Sequence, residues 1–223
     1  MRKGPMILTV VLAVVYAGFW VWYGGSGKAM DQAEIDQRIA ALAETTRAKG
    51  GTPDEHVLAS IRSLGASDDG DEYYMVNLIK YREKALYPPE LQSVYGDDAR
   101  AADARYSAKI VPLVLKHGGV PVLVTEYAGR FLHPEGASDW DVVAMVRYRS
   151  RRDMLAMMQD IASSPEDVAV HKWASIERTQ VFPVKPRFDF VMVRLSVFMA
   201  LVVLGVILHL ILGFIPGYRR VRA

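Results

Sequence analysis

The sequence predicts an α+β protein: a ferredoxin-like βαββαβ domain with an antiparallel four-stranded sheet, flanked by N- and C-terminal transmembrane helices. Three observations predict it. Tyr73 to Tyr81 (YYMVNLIKY) is an apolar, aromatic-rich run between Asp68-Asp69-Gly70-Asp71 and Arg82-Glu83-Lys84, the signature of a strand. The periodic segments that follow come in the order helix, strand, strand, helix, strand, and a short loop joining two strands makes them an antiparallel hairpin. Finally, each end of the chain carries a long uncharged stretch.

Pro5 to Tyr23 has no charged residue, and at about 1.5 Å per residue it is long enough to cross a bilayer core of roughly 30 Å. Trp20, Trp22 and Tyr23 form an aromatic belt at its far end. Arg2-Lys3 and Gly27-Lys28-Ala29 also resemble the flanks of a signal peptide, but the apolar run exceeds the usual ~7–15 residues, so a retained helix is expected. Leu195 to Ile215 is the second span, uncharged apart from a proton on His209 and stopped by Pro216-Gly217. Arg2 and Lys3 outweigh Lys28 around the first span, while Lys185, Arg187 and Arg194 balance the terminal Arg219, Arg220 and Arg222. The first span usually decides orientation. The expectation is therefore a bacterial inner-membrane protein with two spans, cytoplasmic termini and a periplasmic central domain, its first partner being the lipid bilayer.

Between the spans, Gly24 to Gly27 is a flexible exit. Met30 to Lys49 reads as a helix capped by Asp31, with Ile35, Ile39 and Leu42 as its stripe. Thr52-Pro53-Asp54-Glu55 reads as a capping box opening a second helix that buries Val57, Leu58, Ile61 and Leu64. After the first strand, Glu83 to Asp97 reads as irregular. Asp97 or Asp98 caps a long helix to about His117, in which Pro112 predicts a kink or break. Val120 to Leu132 and Asp141 to Tyr148 are the hairpin strands, joined by His133 to Trp140. Ser150 to Ala162 is the next helix, with Met154, Leu155, Met158 and Ile161 inward, then a turn of helix after Ser163, and Ser175 to Phe182 is the last strand. The parse is residues 1–29 for the first span and linker, 30–71 for a helical extension, 72–185 for the sheet domain and 186–223 for the second span and basic tail.

VNLIKYREKALYP (Val76 to Pro88), DARAADARYSAKIVPLVLKHGG (Asp98 to Gly119), WDVVAMVRYRSRRDML (Trp140 to Leu155) and IERTQVFP (Ile176 to Pro183) resemble the dimeric α/β-barrel superfamily. Within it they resemble a branch of small bacterial proteins whose function is largely unassigned. The resemblance covers roughly residues 72–183, and it implies fold more than activity. The superfamily includes cofactor-free monooxygenases, isomerases, haem enzymes and ligand-sensing modules. The flanking membrane helices are not part of its pattern.

With 27 Lys and Arg against 25 Asp and Glu, the chain has no basic tract suited to nucleic acid, and with no cysteine it holds neither disulfides nor thiolate metal sites. No metal site is expected, and no cofactor is named by any motif. Asn77, amid the apolar strand, either bonds neighbouring backbone or points into a pocket. Tyr81, Tyr106, Tyr127, Trp140 and Arg147 either pack as core or line that pocket between sheet and helices. His117 either caps the long helix electrostatically or serves as a base or haem ligand at the pocket mouth. His133 and His171 read as surface residues. In the second span Gly205, His209 and Gly213 share one face at four-residue spacing. They suit close packing of another helix, with His209 bonded to Thr9 or Tyr16, or the approach of a flat pigment or haem.

Two functional readings follow. One is a membrane-anchored binding or assembly module, an accessory subunit of an inner-membrane complex or a homodimer, because the first strand is apolar on both faces and the bare sheet face calls for a second copy. The other is an enzyme resembling cofactor-free monooxygenases or isomerases and acting on a small apolar molecule, or a haem- or pigment-binding membrane protein.

Overall fold

The computed structural model describes residues 3–24, 27–129, 131–132, 139–187 and 192–213. The chain divides into two compact units, Met1–Gly24 with Arg187–Ala223, and Gly25–Pro186. The first contains α1 (Lys3–Tyr23) and α8 (Val193–Gly213), two helices long and apolar enough to span a membrane. Leu12 meets Gly205, while Tyr16, further along α1, meets Phe198 at the start of α8, so the two run antiparallel.

The second unit is built on β1 (Tyr73–Tyr81), β2 (Val120–Glu126), β3 (Val142–Tyr148) and β4 (Ile176–Val184), arranged β2-β3-β1-β4 with every pair antiparallel. β1 is central, as its two-sided apolar character requires. Pleating assigns its odd-numbered residues to one face. Tyr73 and Met75, with Val146 and Tyr148 beside them, pack under Leu113 and Val114 of α5 (Ala99–Lys116) and Met154, Met157 and Ile161 of α6 (Arg151–Ser163). The other face carries Val76 and Leu78, Val143 and Met145, Phe182 and Leu123, paired across the four strands.

α2 (Gln32–Ala48) is capped by Asp31 as the sequence predicts. It lays Ile35, Ile39 and Leu42 against Leu155 and Met158, the outer side of α6, and Arg152 clasps Glu34 through bonds of 2.8 and 3.0 Å. Thus α6 is apolar on two sides, one for the sheet and one for α2. The extension from residue 30 to 71 belongs to the same compact unit as the sheet.

The structure corrects several expectations. α3 (Glu55–Ala66) is capped by Asp54, whose carboxylate accepts from His56 and Val57 amides, not by Thr52; Val57 is 49% exposed, outside the buried face. The segment before α5 contains a helix, α4 (Pro89–Tyr95), begun by Pro89 at a position where a missing N–H costs nothing. Pro112 interrupts no helix: it sits on the exposed side of α5, where the carbonyl it leaves unbonded can reach water. β2 stops at Glu126 rather than Leu132. A full helix, α7 (Val168–Ser175), capped by Asp167, follows α6 where a single turn is expected. Residues 133–138 of the hairpin loop, His133 included, lie outside the described residues.

Candidate functional site

At the Tyr81 end of the sheet, three elements bring ionisable side chains together beneath the helices. Tyr81 points to the helix-covered side, and its hydroxyl donates to Asp103 Oδ2 at 2.8 Å. Arg100, one turn earlier on α5, lays its guanidinium 4.1 Å above the Tyr81 ring. Tyr106, another three residues on, continues that face: Arg100, Asp103 and Tyr106 are spaced i, i+3, i+6 along α5. α7 packs on α5 and contributes Lys172, whose Nζ lies 5.8 Å from the Tyr106 ring and 5.1 Å from that of Trp173.

Burial dominates the electrostatics. It pushes the Tyr106 hydroxyl up to about 12, with the charge of Asp103 adding to the rise. Tyr81 is pushed up by burial first and then by its bond to Asp103. Lys172 is pushed down by burial, with Asp103 pulling the other way. The arrangement can hold charge, donate hydrogen bonds from an ammonium and a phenol, and offer aromatic faces.

Of the residues singled out in the sequence, Asn77, Tyr81 and Tyr106 come to the helix-covered side. Asn77 Nδ2 donates to its own strand at Met75 O, 3.1 Å away, the backbone-bonding alternative. The others are placed elsewhere. His117 Nε2 lies 2.9 Å from Asp160 Oδ2, and Lys116 Nζ shares that oxygen at 2.6 Å, a clamp between the end of α5 and α6. The two partners hold the Asp160 carboxyl below its ordinary range, Lys116 more than His117. Arg147 pairs in register with Tyr74 on the opposite sheet face. Its fully buried guanidinium donates to Gly118 O at 2.9 Å and through Nε to Glu72 Oε2 at 3.0 Å, with Nη2 on the same oxygen. Tyr127 is exposed just beyond β2, its amide bonded to Asp141 O, and the Trp140 ring faces Arg178 at 5.5 Å. His171 is no plain surface residue: its ring stands edge-on to Tyr87 and Tyr95, with Nδ1 at 2.9 Å from the Tyr87 hydroxyl.

Arg100, Asp103 and Lys172 escape sequence reasoning. The first two share a helical face with Tyr106, a signal that was legible; Lys172 joins only through the docking of α7.

In the unit formed by α1 and α8, Gly205 and His209 line a groove of about 750 Å³ with Thr9, Ala13, Tyr16 and Ala17. A Cβ on Gly205 would stand 2.8 Å from Leu12 Cδ1, so the glycine lets the helices approach. Thr9 donates to Pro5 O at 3.0 Å and Tyr16 to Arg194 O at 3.4 Å. Gly213 is the last residue of α8.

No protein-family model matches the chain, and no curated protein matches it. Two solved structures are similar, both of the RPA0582 protein of unknown function from Rhodopseudomonas palustris. One is 24% identical with a TM-score of 0.50, covering 61% of this chain and 96% of that one. The other, of the methylated protein, is 24% identical with a TM-score of 0.51, covering 62% and 95%. What the chain shares with these uncharacterised bacterial proteins is a fold, an antiparallel four-stranded sheet with helices.

Proposed function

We propose that the protein is a membrane-anchored extracytoplasmic binding or assembly module that pairs with a second copy and serves as an accessory subunit of an inner-membrane complex. One observation carries this reading: the sheet face turned away from α5 and α6 carries an apolar residue from every strand, Leu123, Val143, Met145, Val76, Leu78 and Phe182, with Thr125 and Gln180 as the polar residues among them. A face of that composition is unfavourable to leave wet, and a second sheet is the occupant of matching shape. The strand order β2-β3-β1-β4, with helices following β1 and β3, supports placing the domain among ferredoxin-like folds and the dimeric α/β barrels. The antiparallel α1 and α8 support two spans with both termini on one side; Arg2 and Lys3 argue that this side is the cytoplasm.

Sedimentation of the full chain in density-matched detergent tests the reading. The wild type should run as a dimer and Val143→Glu/Met145→Glu as a folded monomer. A folded, monomeric wild type refutes the pairing.

A further inference from the structure

We infer that the groove between α1 and α8 holds one acyl chain of an anionic phospholipid, with the phosphate at Arg194; the inference rests on the reading of these two helices as membrane spans. The groove follows α1 from Pro5 to Val21 through positions three and four apart, Leu8, Leu12, Tyr16 and Trp20 among them, and α8 from Phe198 to Leu210. At 1.5 Å per residue its length along α1 is about 24 Å. Its volume of about 750 Å³ then corresponds to a cross-section of about 30 Å². A helix with its side chains, about 10 Å across, needs about 80 Å². A single hydrocarbon chain, with contact distances of about 4 Å between carbons, fits.

The walls also call for an apolar occupant. Thr9 commits its hydroxyl to Pro5 O and Tyr16 to Arg194 O, and His209 has a partner as well. A ligand with polar ring atoms, such as a quinone, would leave those atoms unmatched in hydrocarbon. An acyl chain has none.

Charge enters at the Trp20 end. Trp20 lines the groove, and the Arg194 guanidinium stands 4.8 Å from its ring centroid and 5.1 Å from that of Tyr23. The rings hold the guanidinium at the groove mouth, where its fork of donors suits a phosphate. Within six residues of the Tyr23 and Val193 ends, the sequence has Lys28, Arg187 and Arg194 against Asp189 alone, so this end favours a headgroup of net negative charge. From Trp20 to Leu12 the groove runs about 12 Å, within the roughly 15 Å that one leaflet contributes to the bilayer core. A chain anchored at Arg194 therefore lies beside Ala17 and Ala13, whose small side chains leave the slot open.

Two measurements on the full chain test this. Membranes are first washed with alkaline carbonate; release of the chain overturns the two-span reading and the inference with it. Native mass spectrometry in detergent then follows the binding of palmitoyl-oleoyl phosphatidylglycerol and of phosphatidylcholine with the same chains. The wild type should retain one phosphatidylglycerol per chain and prefer it about fivefold, the worth of one basic side chain at an anionic headgroup. Arg194→Gln should abolish that preference and Arg194→Lys should keep most of it. Ala13→Phe should lower retention of both lipids, while Val14→Phe, at a position 66% exposed and outside the groove, should change neither. Circular dichroism establishes helix content first, and Ala17→Phe replaces Ala13→Phe if that variant fails the check. Equal retention of the two lipids by a membrane-integral wild type, an unchanged preference in Arg194→Gln, or unchanged retention in the filled groove overturns the inference. So does a filled groove that alters oligomeric state while lipid retention stays the same, which would assign the groove to another helix.

Discussion

Replacing Arg147 by Met removes a guanidinium that the sequence offers as a pocket residue and the structure uses as a brace. Its side chain is fully buried and ties three places together: the Gly118 carbonyl after α5, Glu72 before β1, and β3 itself. Gly118 is buried, so its orphaned carbonyl costs about 1–3 kcal/mol. Glu72 is 31% exposed at its side chain and regains water when its partner goes, which limits that loss to about 1 kcal/mol. Met retains much of the aliphatic volume, so little cavity is added. The total is about 2–4 kcal/mol, and at about 2–4 °C per kcal/mol for a domain of this size the melting temperature should fall by roughly 4–16 °C. Near-ultraviolet circular dichroism of the full chain in detergent follows the sheet unit through its aromatic residues. Glu72→Gln should lose only about 1 kcal/mol. An Arg147→Met protein that melts with the wild type would refute the bracing role and return Arg147 to the list of ligand contacts.

Other predictions follow from single positions. Gly70 has φ of +79° and its missing Cβ points into the backbone of Gly27 and Lys28, so Gly70→Ala should destabilise the sheet unit by about 2–4 kcal/mol in urea titration. Gly205→Ile should loosen α1 from α8, by about 1–3 kcal/mol in a detergent-denaturation titration, while Gly205→Ala should be mild because the flexible end of Leu12 can yield. The hydrogen bonds from Arg152, then Arg38, hold the Glu34 carboxyl down at about 2, from an ordinary 4.5. A depressed carboxyl stabilises the fold above its unfolded value, so this contribution is complete above 4.5 and disappears as pH falls toward 2; Glu34→Gln should flatten the acid limb of the stability curve there. Protease added to intact spheroplasts should digest the sheet unit, and protection there with cleavage in inverted vesicles would reverse the proposed orientation.

Elements whose own residues carry the signal were legible. β1 matches its predicted bounds because turn formers and charges delimit it, and α5 follows from Asp98, its apolar band and Gly118-Gly119. α4 was hidden because Pro88-Pro89 reads as a breaker when the second proline is a helix start. α7 is too short for its period to stand out. The candidate site divides the same way. Asn77 and Arg147 look like members of one pocket until register is known. Asn77 opposite Ala144 and Arg147 opposite Tyr74 then lie on opposite faces, because a shift of one residue exchanges the faces of a strand. Lys172 could not be found from spacing, since its position depends on how α7 docks on α5.

The absence of cysteine from the chain allows the proposed pairing of sheet faces to be tested by cross-linking. Single cysteines at Leu78, Met145 and Leu123 would stand on the face away from α5 and α6. Val124→Cys, one residue from Leu123, would stand on the helix-covered side, where the native side chain is 70% exposed. A bifunctional maleimide applied to membranes holding the full chain should give a covalent dimer from the first three variants and none from Val124→Cys. Equal cross-linking from both faces, or dimer from Val124→Cys alone, would contradict assembly through this sheet.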